Sequence, residues 1–431
     1  GRIENSGFIF RGETLNNPLP AAKTIQSFFN VENANIKYLE DWPQLDGTSG
    51  LVNVDNNDID VWTSGATISE IKLNPAIATI RPNDNSSGAW LEVAGTTRTS
   101  TSLGLDFLRN SPTKNAIGDY INNWEAAGEL DIDVNLNIPL NIESAEPLIQ
   151  LSVLSDDSEL QIPDFSLDLN AIRGRINYSS ETGLSANAVS AELFGFPIAV
   201  GLETFTNPST DKQLMESGTR IYATGRASRE ALQEWPRQTD FARKVLDFTD
   251  GVFDYSAELK LFSADSANGL LSRLALDSDM VGVSVDLPQP FTKDLDQGRA
   301  LHLEIEFNDD GELVSGAFGN EFNANVLFKQ GEIETGQLNF NILDSEFGFI
   351  QEISTEPGIV IRGELDYLNY EDWNAVAEAF ADPQLGSDEE NEFEKNIRMA
   401  DLYIQDLEVA GIELLEVNTQ VRRGEREWNV L

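Results

Sequence analysis

The sequence predicts a mainly β protein, built from antiparallel strands with a few short helical inserts. Three observations support this fold class. Apolar and polar residues alternate strictly over long segments, turn residues separate those segments, and helical patterns are few and short. With 431 residues, of which 40% are hydrophobic, the chain is long and apolar enough to bury a sizeable core.

The clearest alternation lies in residues 129–140, where every second residue is apolar and most of the intervening ones are Asp or Asn. Successive side chains of a strand point to opposite faces, so this segment has one apolar and one polar face. The apolar set is Leu130, Ile132, Val134, Leu136 and Ile138. The nine residues from Leu130 to Ile138, at about 3.3 Å each, already form a strand about 30 Å long, which exceeds the common length.

Three further segments repeat this pattern, with Ser, Asp, Asn, His or Glu between the apolar residues and Leu327 as the one apolar exception. Their apolar residues are Phe165, Leu167 and Leu169 in the first segment, Leu303, Ile305 and Phe307 in the second, and Phe322, Val326 and Phe328 in the third. One-sided alternation is typical of an antiparallel sheet with one face in water.

Helical patterns occur at three places. Ser228 is a suitable N-cap for a helix over residues 229–235, and Asn369 precedes a helical pattern over residues 370–380. A third candidate covers residues 115–127. Because these segments interrupt a series of strands and do not alternate with them, the pattern argues against a parallel β-α-β sheet.

The helical inserts reveal a repeat. In each copy a strand leads to a glycine, and a Trp or Leu follows ten positions later. The copies are Gly95 with Leu105, Gly225 with Trp235, and Gly363 with Trp373. A repeat of this kind favours one array of stacked units over several independent domains. The approximate units are 1–127, 128–250, 251–380 and a partial unit 381–431.

Charge excludes two classes of partner. The chain has 73 acidic and 29 basic residues, for a net charge of −44. Nucleic-acid binding requires a basic surface, and so does adsorption to an anionic membrane. We therefore expect no nucleic-acid partner.

The residues that carry catalysis are also missing. His302 is the one histidine and the chain has no cysteine, so no Ser-His-Asp triad, Cys-His pair or multi-histidine zinc site can form. Pairs of acidic residues such as Asp131 and Asp133 are inevitable in so acidic a chain. Residues 55–60 superficially resemble a calcium loop but lack its glycine and its distant glutamate. We expect no enzymatic activity, no cofactor and no metal.

The first residues of the chain and its hydropathy indicate whether it contains a membrane span or a signal peptide. No run of about 18 apolar residues could span a bilayer, and the first residues lack both an initiator Met and the pattern of a signal peptide. We expect the sequence to be a fragment of a longer protein. Periodicity leaves open whether the apolar face is sealed in a β-sandwich or lines an open trough in a sheet that curls along its length.

Three stretches carry a resemblance to a known family. They are 105–140, which ends in Ile-Pro-Leu; 282–293, with Leu-Pro-Gln-Pro-Phe-Thr-Lys; and 363–373, followed by Ala410-Gly411 and Trp428. In order and spacing they resemble the periplasmic part of the YhdP family, within the wider AsmA-like group that includes TamB. The resemblance runs over residues 59–428.

The resemblance implies one continuous, elongated and curled β-groove over residues 1–431, whose apolar interior shields lipid acyl chains. The fourteen apolar residues named above would line the groove. The parent protein would be anchored in the inner membrane of a Gram-negative cell, lie in the periplasm and contact components of both membranes. It would carry phospholipids between the membranes without a cofactor. The alternative is a TamB-like factor that assembles outer-membrane β-barrel proteins by offering strand edges to them.

Overall fold

The structure is a computed structural model, and its residues form two compact units. It describes residues 1–13, 23–38, 40–83, 88–112, 119–142, 145–208, 215–236, 240–263, 270–308, 311–341, 356–380, 396–423 and 428–430. Unit 1 comprises Gly1–Leu193, Ala199–Thr206 and Ser217–Thr219. Unit 2 comprises Phe194–Ile198, Asn207–Glu216 and Arg220–Leu431.

Unit 1 is a ladder of antiparallel strands. Its strands are β1 (Arg2–Gly12), β2 (Lys23–Ile36), β3 (Leu45–Asp55), β4 (Asp58–Ile68), β5 (Ile71–Leu73), β6 (Ile77–Pro82), β7 (Ala89–Ser100), β8 (Glu125–Ala127), β9 (Glu129–Leu140), β10 (Leu148–Ile162), β11 (Leu167–Ser179) and β12 (Gly183–Leu193). Helix α1 (Thr101–Arg109) follows β7, and 3₁₀ turns lie at Asp119–Asn123 and Pro163–Phe165. The ladder runs β1-β2-β3-β4-β6-β7-β9-β10-β11-β12, while β5 pairs with β4 and β8 with β10.

Two strands have residues in both units: β13 (Phe196–Pro208) and β14 (Met215–Ser228). The remaining elements belong to unit 2. They are α2 (Arg229–Glu234), α3 (Asp240–Asp247), β15 (Thr249–Phe262), β16 (Leu270–Ser278), β17 (Val283–Val285), β18 (Leu301–Asn308), β19 (Gly311–Phe318), β20 (Phe322–Lys329), β21 (Glu332–Phe340), β22 (Gly358–Asn369), α4 (Tyr370–Phe380), β23 (Ile397–Val409), β24 (Ile412–Arg423) and β25 (Trp428–Val430). Their ladder runs β15-β16-β18-β19-β20-β21-β22-β23-β24-β25, and β17 pairs with the start of β15.

The predicted fold class, mainly β with a few short helices, is confirmed. The prediction of an antiparallel sheet needs one correction, because β22 lies parallel to both β21 and β23. Parallel neighbours require a long crossover connection, and α4 lies in the connection from β22 to β23. This part of unit 2 is the β-α-β arrangement that the helical pattern had argued against.

Two of the three predicted helices are confirmed. Helix α4 spans Tyr370–Phe380, as the pattern predicts, and α2 begins after Ser228, whose Oγ accepts a hydrogen bond from the backbone N–H of Ala231 (3.2 Å). The third prediction is wrong in its described part, which contains a 3₁₀ turn at Asp119–Asn123 and strand β8. Residues 115–118 lie outside the described residues.

The repeated glycines do not end their strands. Each strand continues past the glycine to a residue whose side chain caps the following helix: Ser100 before α1, Ser228 before α2, and Asn369 before α4. The side-chain oxygen of each cap accepts a hydrogen bond from a backbone N–H of the first helical turn. These N–H groups have no partner within the helix. Strand, cap and helix are therefore what the three copies share. At Gly363 a Cβ atom would collide with the Phe340 carbonyl oxygen, which explains this glycine separately.

Candidate functional site

One face of unit 1 carries rows of apolar side chains that run across its strands. Residues directly opposite each other in an antiparallel pair share a face of the sheet. One row takes a residue from each of seven strands: Phe29, Val52, Val61, Ala78, Val93, Leu136 and Ile149. With about 4.8 Å between strands, this row spans about 29 Å.

The five residues predicted on β9 all lie on this face. Ile132 and Val134 pair with Val153 and Leu151 of β10, so the apolar surface continues onto β10. On the β7 side the same two residues pair with Thr97 and Gly95, and the apolar surface continues there through Ile138, which pairs with Leu91.

The three residues predicted near β11 are arranged differently. Leu167 and Leu169 pair with Ile162 and Leu160 of β10. Phe165 lies outside the strand, in the 3₁₀ turn Pro163–Phe165 that precedes it. Ser166 adopts the left-handed conformation, with φ of 49°, and this breaks the alternation that the sequence pattern extends to Phe165.

Unit 2 has a comparable face. One row extends over nine strands: Ala257, Leu276, Leu303, Gly316, Ala324, Leu338, Ile361, Ala400 and Val421. Neighbouring rows contain Ile305 with Val326, through Val314 of β19, and Phe307 with Phe328, through Glu312. Phe322 lies in a further row between Phe318 and Phe340. The ladder thus brings all six predicted residues of unit 2 to one face.

Most of the predicted residues keep part of their surface in water. Thirteen of the fourteen are half-buried, and the exception, Ile138, is 3% exposed. In a closed sandwich two apolar faces bury each other, and side chains at the centre lose nearly all exposure. Half-burial along whole strands therefore favours the open apolar surface among the two arrangements that the sequence left open.

The polar face of unit 1 is charged and exposed to water around β9. Asp131 and Asp133 of β9 are exposed, and each lies near an arginine of a neighbouring strand. Arg98 Nε lies 3.8 Å from Asp131 Oδ1, and Arg175 Nη1 lies 3.4 Å from Asp133 Oδ2. Exposed pairs of this kind contribute about 0–1 kcal/mol each. Their main effect is to keep this side of the sheet hydrated.

The polar face of unit 2 is buried around β20 and β21. Asn323, Gln337 and Asn339 are 5%, 9% and 0% exposed. Gln337 Nε2 donates to Asn339 Oδ1 (2.9 Å), and Asn339 Nδ2 donates to Asn323 Oδ1 (2.8 Å). Buried amides are tolerated when they are hydrogen-bonded to one another in this way.

Aromatic residues meet at one edge of the apolar face of unit 2, and we call them the aromatic cluster: Phe291, Phe318, Phe322, Phe340 and Trp373. The Phe291 ring lies 5.1 Å from that of Phe322, 6.0 Å from that of Phe340 and 5.9 Å from that of Trp373. The sequence pattern predicted only Phe322 of this set. The available signal for Phe291 was the Leu-Pro-Gln-Pro-Phe stretch, which had no structural interpretation.

A polar pocket of about 650 Å³ adjoins this edge. Its lining includes Lys293, Asp294, Arg299, Glu321 and Asp366. Lys293 is 3% exposed, and its Nζ donates to the carbonyl oxygens of Val283 (2.6 Å) and Asp294 (3.0 Å). Burial lowers the pKa of Lys293, because desolvation disfavours its charged form.

The residues considered for catalysis or metal binding lie on separate strands or beside turns. His302 Nδ1 lies 2.6 Å from Asp277 Oδ1 on the polar face of unit 2. Asp55 and Asp58 flank the two-residue turn between β3 and β4. Within the described parts of the chain, no three His, Asp or Glu side chains come together as metal ligands. None of the described helices combines the length and hydropathy that a membrane span requires.

A family model described as "YhdP protein" matches residues 1–430. The chain belongs to the YhdP family. The predicted resemblance is thereby confirmed, and the match includes residues 1–58, which the resemblance had left out. Searches among curated proteins and among solved structures found no match. Membership of the YhdP family suggests a lipid-transport protein of the AsmA-like group.

Proposed function

We propose that this YhdP-family chain is a segment of a bridge-like protein that carries phospholipids between the inner and outer membranes of a Gram-negative cell. The observation that carries the proposal is the pair of apolar faces, each crossing many strands with side chains that remain half-buried. An acyl chain laid on such a face would remove apolar surface of both partners from water, at about 0.8 kcal/mol for each buried CH₂ group.

The dimensions of the face fit this cargo. The seven-residue row of unit 1 spans about 29 Å, whereas the hydrocarbon core of a whole bilayer is about 30 Å thick and each leaflet fills about half of it. One row therefore exceeds the reach of a single acyl chain. Within this row every strand presents an apolar side chain, so an acyl chain can shift from one strand to the next without crossing a polar side chain.

The remaining features of the chain are consistent with this assignment. Its charged face in unit 1 suits the aqueous periplasm, and the lipid head groups would stay in water beside it. The parent protein would be anchored in the inner membrane and would meet components of both membranes at its ends. In this proposal the chain performs no catalysis, uses no cofactor and binds no nucleic acid.

Native mass spectrometry with lipid extraction tests the proposal on the chain purified from a Gram-negative host. We expect co-purified phospholipid that is lost in the variants Val134→Asp and Ile305→Asp, which place a charge on the apolar face. Asn135→Asp is the matched control, because it adds the same carboxylate one residue away on the exposed polar face. Native protein without lipid, or equal loss in the control, would contradict the proposal.

The same positions distinguish lipid transport from TamB-like assembly of outer-membrane proteins. A photo-crosslinking amino acid at Val134 or Ile305 is expected to yield lipid adducts in cells. Adducts with outer-membrane proteins in place of lipids would favour the assembly function, in which a client strand pairs with the sheet.

A further inference from the structure

The 286–293 loop of unit 2 spans one edge of the apolar face. It leaves β17 and carries Phe291 to the ends of three other strands, where this ring contacts Phe318 of β19, Phe322 of β20 and Phe340 of β21. Beyond β21, the Trp373 ring of α4 packs against Phe291 as well. A single loop therefore connects β17, the middle of the ladder and α4.

The loop is fixed at its base and at its tip. At the base, Val285 and Lys293 exchange two backbone hydrogen bonds of 2.8 and 3.0 Å, and the buried Lys293 ammonium holds two carbonyl oxygens. At the tip, Trp373 Nε1 donates to the carbonyl oxygen of Gln289 (3.0 Å). Restraints at both ends indicate a built element of the fold.

The loop also rests on a buried hydrophobic cluster of unit 2. Leu287 packs against a buried cluster made of Ala227, Phe253, Met280, Val283 and Val285. Leu301 and Phe318, from the same edge of the apolar face, pack against this cluster too. The edge of the apolar face that carries the aromatic cluster is therefore continuous with a hydrophobic core, and close packing makes this core a rigid support.

The opposite edge of the same strands is different. Phe328, near the end of β20, is half-buried, and the turn that follows it, at residues 329–332, is exposed. Lys329 and Glu334 carry charges there, 3.5 Å apart, and both side chains are almost half exposed. One edge thus presents packed aromatic rings beside a polar pocket, and the other presents a turn whose residues are all exposed to water.

We propose that the aromatic cluster is a stop for acyl chains in unit 2, meaning that its packed rings block an acyl chain from extending past this edge of the apolar face. A bound lipid directs its chain ends toward Phe291 and places its polar head group at the opposite edge, beside Phe328 and the 329–332 turn. The reason is that charged side chains of the pocket beside the cluster already have partners, Arg299 with Glu321 (3.1 Å) and Lys293 with two carbonyl oxygens, so a head group there would lose hydration. The 329–332 turn, by contrast, is exposed to water. This inference rests on the proposed lipid-transport function and adds an orientation to it.

Two photoreactive phosphatidylcholines test the orientation on the purified chain. One carries a diazirine at the end of an acyl chain and the other carries it on the head group. After illumination, mass spectrometry locates the adducts by peptide. We expect the acyl-end probe to label the peptide around Phe318 and Phe322, and the head-group probe to label the 329–332 turn. In Phe291→Ala, head-group labelling near Phe318 should rise several-fold, because the stop is removed.

Phe328→Ala is the matched control, since it removes a phenyl ring from the same face at the opposite edge. Trp373→Ala provides a second way to loosen the stop should Phe291→Ala fold poorly, and circular dichroism checks the β content of each variant. Head-group labelling at the aromatic cluster of the native chain, or labelling unchanged in both Phe291→Ala and Trp373→Ala, would overturn the orientation. Failure of the acyl-end probe to label either edge would instead contradict lipid binding itself.

Discussion

The polar faces of the two units differ in how far their polar side chains are exposed to water. On β9 of unit 1, Asp131 and Asp133 are exposed and lie near arginines at the surface. On β20 and β21 of unit 2, Asn323, Gln337 and Asn339 are buried and hydrogen-bonded in series. Both sets occupy the side of the sheet opposite the apolar rows. Alternation therefore assigns a residue to a side, but it does not tell whether water reaches that side.

Residue chemistry explains why each face can exist. A buried charge requires a partner and loses several kcal/mol of hydration, whereas a neutral amide requires only hydrogen bonds. Unit 2 uses Asn and Gln at the buried positions 323, 325, 337 and 339, where unit 1 uses Asp at 131 and 133. Amides therefore permit burial on the nominally polar face but do not by themselves indicate it, since Asn135 of β9 is exposed.

The largest effect should come from placing a charge in the buried series. We expect Asn339→Asp to lower the free energy of unfolding by about 3–5 kcal/mol, because it leaves an unpaired carboxylate in a fully buried position and faces it toward Asn323 Oδ1. Guanidinium denaturation monitored by circular dichroism measures the loss. Asn135→Asp makes the same change on exposed β9 and should stay within about 0.5 kcal/mol. Equal losses in the two variants would show that the two faces do not differ in burial.

A smaller effect should follow from removing one amide hydrogen bond in each unit. Asn323 accepts from Asn339 Nδ2 at 2.8 Å, and Asn177 accepts from Ser152 Oγ at 2.9 Å on the exposed face of unit 1. We expect Asn323→Ala to lower the free energy of unfolding by about 1–3 kcal/mol, since a buried donor loses its acceptor. Asn177→Ala should cost less than about 0.5 kcal/mol, because water replaces the amide. The same denaturation experiment compares them, and a larger loss in Asn177→Ala would reverse the comparison.

The sequence could predict the strands because their pattern is local. Residues 129–140 alternate over their whole length and residues 322–328 do so except at Leu327, and β9 and β20 occupy these residues with at most one added at an end. The sequence pattern could not predict which strands pair with each other. The parallel register of β22, for example, depends on a long connection and not on the residues of β22 itself. The break at Phe165 was missed because it depends on the backbone conformation of Ser166, which alternation does not encode.

The candidate site also has a part that the sequence could predict and a part that it could not. The apolar face was predictable, because period-two patterns select one side of each strand and pairing then brings those sides together. Phe291 was not, because it lies in a loop and reaches Phe322 and Phe340 from a distant part of the chain. Contacts of this kind follow from tertiary structure, for which a single sequence has no periodic signal.

The smallest change in the free energy of unfolding should come from removing an exposed ion pair on the charged face of unit 1, because water then solvates the remaining carboxylates. Arg98 Nε lies 3.0 Å from Glu129 Oε2 and 3.8 Å from Asp131 Oδ1, and the Arg98 side chain is 65% exposed. We expect Arg98→Ala to lower the free energy of unfolding by less than about 1 kcal/mol, and by less still in 1 M salt, where the Debye length falls to about 3 Å. Denaturation in urea at low and high salt measures both values. A loss above this range that persists in high salt would mean that Arg98 acts through packing of its aliphatic chain, and the polar face of unit 1 would then resemble that of unit 2 more closely than its exposure indicates.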